Sequence, residues 1–228
     1  QLTARWRGDA NLSGIQPIAL LQYSDFDTDA NRVKGQRIYG EAGVTHPLNW
    51  RWGFLRTTAK YRSVSYDLGN VPTLPSEPNN KPDAQSGVFS VDGGLLFERA
   101  TTIGGKGMVQ TLEPRIFYLY SQYDEQTGQP DFDSAELTFS YQQLFRDTRF
   151  SGHDRLDDAN QVSIGVTTRL FADSDGRERL NASIGQIFYF RDREVRLKAR
   201  DRALDESLSA TAVEFNWFPS DAWAIRSS

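Results

Sequence analysis

The chain has 228 residues, a formal net charge of −4, 38% hydrophobic and 12% aromatic residues, the last as 9 Tyr, 5 Trp and 14 Phe. That length fits one domain or part of a larger one, and the aromatic content excludes an intrinsically disordered chain. Mild acidity without a basic run leaves nucleic-acid binding no electrostatic support, and the absence of cysteine excludes disulfides, thiolate metal sites and a cysteine nucleophile within the chain.

No apolar run approaches the roughly 20 residues of a transmembrane helix. The longest are 15–21, already interrupted by Gln16 and Pro17, and 95–97. No leader pattern is visible. The chain begins Gln1-Leu-Thr and stops at Ile225-Arg-Ser-Ser inside a strand-like pattern, so a piece of something longer is expected.

Taken in chain order, the segments alternate with period 2, the mark of a strand with one apolar and one polar face. After segments 1–8 and 15–25, the segment 36–47 sets Ile38, Gly40, Ala42 and Val44 against Arg37, Tyr39, Glu41, Gly43 and Thr45. A segment at 50–66 follows, and 86–100 sets Phe89, Val91, Gly93, Leu95 and Phe97 against Ser90, Asp92, Gly94, Leu96 and Glu98. Beyond 109–121, the segment 159–171 sets Val162, Ile164, Val166, Thr168 and Leu170 against Gln161, Ser163, Gly165, Thr167 and Arg169. The segment 178–191 opposes Leu180, Ala182, Ile184, Gln186, Phe188 and Phe190 to Asn181, Ser183, Gly185, Ile187 and Tyr189. The last full segment is 207–218, with Thr211, Val213, Phe215 and Trp217 on one face, and another begins at Ala222. These make about nine strands and the start of a tenth, several longer than the roughly 5–6 residues usual in soluble proteins.

Short turns are expected at 47–49, 173–177 and 219–221, and long polar loops at 26–35, 67–85 and 191–206. A transmembrane barrel has short turns on the periplasmic side and long loops outside. Strict up–down alternation then makes the whole of 122–158 one extracellular insertion, folded toward the lumen, although 135–145 looks strand-like by itself. A soluble sandwich also alternates. Long strands favour the membrane, as do aromatics near strand ends (Trp50, Trp52, Tyr66, Tyr118, Tyr120, Tyr189, Trp217, Trp223). So do charges on the polar face: Glu41, Lys60, Arg62, Asp92, Glu98, Glu113, Arg115 and Arg169, the expected lumen wall. The fold expected is all-β, an antiparallel transmembrane β-barrel piece.

Other motifs read blandly. Gly104-Gly105-Lys106-Gly107 lacks the spacing and the Ser or Thr of a phosphate loop and fits a turn between strands. His46 and His153 are the only histidines, and neither sits in a GxSxG or HExxH setting, so both are expected as ordinary surface or interface residues. The loop acids Asp124, Glu125, Asp131, Asp133, Asp154, Asp157 and Asp158 are expected to be solvated, with weak divalent-ion binding as the minor option. Asn11-Leu-Ser and Asn181-Ala-Ser match the glycosylation sequon, which means little in a bacterial envelope protein. Pro114 between Glu113 and Arg115 implies a weakened ladder or a bulge, with the two charges free to pair. No enzyme, cofactor or metal is called for.

The run Gln110-Thr-Leu-Glu-Pro-Arg-Ile-Phe-Tyr-Leu-Tyr resembles a signature of the LptD family of outer-membrane lipopolysaccharide-assembly barrels. The resemblance continues through Phe132-Asp-Ser-Ala-Glu-Leu and Gln143-Leu-Phe-Arg-Asp-Thr-Arg-Phe-Ser-Gly-His-Asp-Arg-Leu-Asp-Asp-Ala-Asn-Gln. Gly165-Val-Thr-Thr-Arg-Leu, Gly176-Arg-Glu-Arg-Leu and Ser183-Ile-Gly-Gln-Ile-Phe-Tyr-Phe follow. It is dense over 110–190, looser over 15–100, where Phe97-Glu-Arg also fits, and thin beyond 191. It implies a central stretch of a large barrel that inserts lipopolysaccharide into the outer leaflet of the Gram-negative outer membrane. It also implies a plug lipoprotein, LptE, in the lumen, a lateral gate between the first and last strands, and delivery of lipopolysaccharide from the periplasmic bridge protein LptA. The family's disulfide cysteines are absent here. Phe145, Arg146, Asp147, Arg149, Asp154 and Arg155 are the expected contacts from the loop to plug or wall. A passive porin and a soluble sugar-binding β-protein remain the alternative classes.

Overall fold

The alternating segments join into one antiparallel sheet in the computed structural model, which describes residues 1–27, 33–69, 79–198, 201, 204–220 and 222–227. The strands are β1 (Leu2–Arg7), β2 (Gln16–Phe26), β3 (Lys34–Trp50), β4 (Gly53–Gly69), β5 (Asp83–Leu95), β6 (Phe97–Ile103), β7 (Lys106–Ser121), β8 (Ala159–Ala172), β9 (Glu178–Tyr189), β10 (Ala212–Ser220) and β11 (Trp223–Ser227). Each pairs with its sequence neighbour, except that β5 and β6 follow one another along the same side of β7. β1 and β11 each pair on one side only, so the sheet is an open section of wall. Parts of the expected loops (28–32, 70–78, 199–200 and 202–203), Asp221 of the expected last turn, and Ser228 lie outside the described residues.

The hairpin at Gly104 and Gly105 has φ of 59° and 77°, the left-handed backbone that a two-residue hairpin turn demands and glycine supplies cheaply. The first turn differs from expectation. β3 runs on through Pro47 and Asn49 to Trp50, and the chain reverses at Arg51 and Trp52. Pro47 is tolerated because β3 is paired to β2 only as far as Thr45, so one edge is open there. β10 starts at Ala212 rather than 207, because the Ser209 hydroxyl accepts the Ile187 N–H (2.9 Å) and displaces a regular ladder.

Register assigns the faces. The outer face carries Leu21, Ile38, Phe89, Ile116, Ile164, Ile184 and Val213, all exposed in this chain and apolar as a lipid-facing surface must be. The inner face carries the polar set, and across it lies the connection 122–158. That connection has a short 3-10 turn at Tyr141–Phe145 and a single bridge, Glu136↔Phe150. The strand-like look of 135–145 does not become a strand, because Leu144 is drawn away from any ladder and fully buried against the wall.

Three apolar clusters hold this contact. Tyr39, Val64, Tyr66, Leu68 and Ala84 of the wall enclose Leu156. Phe145 packs on Val88 and Phe117, and Leu144 packs on Ile187 and Ala212. The core of this chain therefore lies between sheet and insertion, not within the sheet.

Candidate functional site

All eight expected wall residues fall on the inner face: Glu41 opposite Arg62, Lys60 opposite Val88, Asp92 opposite Phe117, Glu98 opposite Thr111, and Glu113, Arg115 and Arg169 on the same faces of β7 and β8. Seven of them join three charge groups. Glu41 accepts from Lys60 Nζ (2.9 Å) and Arg62 Nε (3.3 Å). Arg115 donates twice to Asp92 (2.8 Å each) rather than pairing with Glu113. Glu113 meets Arg169 at 3.6 Å instead, so the expected pairing across Pro114 does not form. Glu98 has no ion pair among the described residues.

The insertion enters these groups through its acids. Asp147 reaches Lys60 Nζ and Arg62 Nη2, both at 2.7 Å. Burial pushes its carboxyl up, but the two cations outweigh burial and hold it well below the ordinary carboxylate range. Asp154 is a buried hub. Its Oδ2 accepts the Phe132 and Asp133 N–H groups (2.9 Å each), and its Oδ1 accepts Arg37 Nη1 (2.5 Å) and Tyr66 OH (3.1 Å). Burial again raises this carboxyl, and the backbone N–H of Asp133 and the Arg37 guanidinium bring it below its usual value. Arg37 also forks onto Asp133 at 2.6 and 2.8 Å, a bidentate geometry that fixes direction as well as charge.

Of the other expected loop contacts, Phe145 touches the wall, with the Arg115 guanidinium 4.1 Å over its ring. Arg149 turns inward to Asp157 (2.6 Å) and to the Val195 carbonyl (3.0 Å). Arg155 donates to the carbonyls of Gln129, Pro130, Asp154, Arg196 and Leu197, so it ties the insertion to the connection after β9. Arg146 is exposed, its side chain makes no hydrogen bond or ion pair among the described residues, and it borders a pocket together with Leu119, Gln161 and Ile187 of the wall.

Solvation of the loop acids is corrected for three of them. Asp154, Asp157 and Asp158 are buried, and Asp158 accepts the N–H groups of Glu194 and Val195 at 3.0 Å each. A buried carboxylate must find donors, and here arginines and backbone amides supply them. His153 is stacked on Tyr39 (centroids 3.9 Å apart), and burial with the nearby Arg37 lowers its pKa. Among the described residues no cluster of His, Asp and Glu has the arrangement of a metal site.

Sequence reasoning missed Arg37, Tyr66, Leu144 and a glycine notch. Gly165 and Gly185 are cross-strand partners. A Cβ on Gly165 would stand 2.8 Å from the Tyr141 ring, and one on Gly185 would stand 2.6 Å from Leu144 Cδ1. The notch lets the 3-10 turn lie against the backbone of β8 and β9. The visible signal was a pair of small residues on the polar face of strands that otherwise carry larger groups.

Fold and site together define a section of a transmembrane β-barrel of the outer-membrane type, with an apolar outside, a charged inside and an insertion pinned across the inside. The chain matches the family described as "LptD: LPS transport system D" over residues 1–228, and it belongs to that family. It is 43% identical over 219 residues to the LPS-assembly protein LptD of Ectopseudomonas mendocina (strain ymp), covering 88% of this chain and 23% of the relative. It is 45% identical over 196 residues to that of Pseudomonas aeruginosa (strain LESB58), covering 83% and 20%. It is 44% identical over 163 residues to that of Nitrosomonas eutropha (strain DSM 101675 / C91 / Nm57), covering 72% and 22%. The chain thus spans less than a quarter of the length of each of these relatives.

Proposed function

We propose that this chain is part of the barrel wall of a lipopolysaccharide translocon in the Gram-negative outer membrane. The observation that carries it is the charged inner face in a chain of the LptD family. Lipopolysaccharide has a large polar sugar part and an acyl part. A wet inner wall of Glu113, Arg115, Arg169 and their neighbours shelters the sugars, and the acyl chains leave into lipid through a lateral opening elsewhere in the parent. No bond is made or broken, so no catalytic group is required. The connection 122–158 is the extracellular insertion, folded into the lumen, and its pinned position supports a closed outer end. A freely conducting porin would need that end open.

LptE is the partner seated against the inner face, and LptA delivers lipopolysaccharide to the parent from the periplasm. The test is depletion of the full-length parent in its own bacterium, followed by fractionation of newly made lipopolysaccharide. Surface lipopolysaccharide should fall while it accumulates at the inner membrane. Unchanged surface lipopolysaccharide, with ion conductance through the purified parent, would favour the porin.

A further inference from the structure

Near the end of the wall from which the insertion leaves, the inner face of β7, β8 and β9 carries a row of Leu119, Gln161 and Tyr189, set opposite one another by register. The insertion passes over this row. The connection after β9 returns beside it and lays the Arg193 guanidinium over the Tyr189 ring, 3.5 Å from its centroid. Between them is a cavity of about 260 Å³, smaller than the roughly 300–1,000 Å³ of ordinary ligand pockets. Two of its sides are apolar: Leu119 and Ile187 from the sheet, Leu137 and Phe139 from the insertion.

The polar part of the cavity has positive charge left over. Three arginines border it, Arg146, Arg149 and Arg193, with two acids, Glu136 and Asp157. Both acids go to Arg149, at 3.7 and 2.6 Å. Arg146 is exposed to solvent. Arg193 is only 6% exposed and makes no ion pair among the described residues. Its Nη2 donates to the Leu204 and Glu206 carbonyls (3.2 and 3.4 Å), and its Nε is buried without a partner. Gln161 is 7% exposed, and its side-chain amide, on the same cavity, makes no hydrogen bond among the described residues. A buried cation calls for an anion, and a buried amide for hydrogen-bond partners. Neither comes from the described residues.

We propose that this cavity is a binding site for a small aliphatic carboxylate of the medium-chain fatty-acid type. The carboxylate faces Arg193 and accepts from the Gln161 amide, and the tail lies among Leu119, Ile187, Leu137 and Phe139. One negative charge matches the one buried cation without an acid, and a planar guanidinium suits a planar carboxylate. A phosphate monoester would bring roughly −1.5 to −2 and leave charge over beside Asp157. The apolar sides draw the tail out of water. The site does not depend on what the parent transports.

The test uses the full-length parent with its plug in nanodiscs of one phosphatidylcholine. A diazirine-bearing octanoate is activated by light, and its adducts are placed residue by residue by mass. Adducts should form at Phe139 or Ile187, in the cavity. Excess octanoate should reduce them several-fold. Octanol, acetate and octyl phosphate, which lack the charge, the tail or the single charge, should not. Adducts at Ile38, on the lipid-facing side, should not respond to Arg193→Gln, which should lower the cavity adducts several-fold. Leu137→Trp, which fills the cavity and keeps Arg193, should do the same if Arg193→Gln does not fold. No cavity adduct overturns the site, as does one that both variants leave unchanged. So does displacement by octanol or octyl phosphate as strong as that by octanoate.

Discussion

Asp154→Ala should release the insertion from the wall. The substitution leaves the Arg37 guanidinium, fully buried, with Asp133 as its remaining acid. It also strips the Phe132 and Asp133 N–H groups and the Tyr66 hydroxyl of their acceptor. Removing one partner of a buried ion pair costs about 3–5 kcal/mol. Each buried donor left unsatisfied costs about 1–3 kcal/mol, though water entering the space recovers part of it and the terms do not add. Taking only the lower bound of about 3 kcal/mol, local opening becomes about a hundredfold more frequent. Hydrogen exchange on the full-length parent in nanodiscs reads this directly. The Phe132 and Asp133 amides should exchange about a hundredfold faster, or more, than in the wild type. Glu136→Ala, at an exposed acid of the same insertion, should change little, as surface substitutions usually do. If Phe132 and Asp133 keep their wild-type protection in Asp154→Ala, the carboxylate is not the hub described here.

Gly185→Val introduces a residue that strands favour, yet its Cβ would meet Leu144 at 2.6 Å. Docking should weaken by about 1–3 kcal/mol, seen as faster tryptic cleavage at Arg146, and Leu144→Ala in the same chain should restore protection. Asp147→Asn leaves Lys60 and Arg62 sharing Glu41 alone and, because the Asp147 carboxylate is partly exposed and screened by water, should loosen the insertion by about 1 kcal/mol, seen as faster exchange of the Tyr141–Phe145 turn. Docking should also depend on pH in two stages. His153 has a lowered pKa when docked, so its contribution is complete above about 6.5 and declines as pH falls below that. Asp147 and Asp154 are likewise depressed, so their contribution persists above about 3.9 and is lost only at more acid pH. Exchange protection of the insertion measured against pH should show both stages, and His153→Phe, which keeps a ring on Tyr39, should remove the first.

Much of the wall was legible from residues alone. Ile38 and Ile164 share one face of the sheet and Glu41 and Arg169 the other, as the alternation implies, because strand geometry sends successive side chains to opposite sides, and that rule needs no partner. The Gly104-Gly105 hairpin was equally local. The loop acids were misread because nothing within 122–158 distinguishes Asp154 from Asp124. Asp154 is buried because the chain returns over Arg37 and Tyr66, which precede it by 117 and 88 residues. Pro47 reads as a turn in the sequence alone because its tolerance inside β3 depends on where β2 ends, a fact of the neighbouring strand.

The alternation of faces and family membership are thus properties of the sequence itself, carried by a period-2 pattern and by ordered motif blocks, whereas the split of 86–100 into β5 and β6 is not. The pinning of the insertion and the glycine notch beneath Leu144 were decided only by the tertiary structure. Each depends on which residues of distant segments are brought opposite one another, and that is set by the register of the whole sheet rather than by any stretch of the chain.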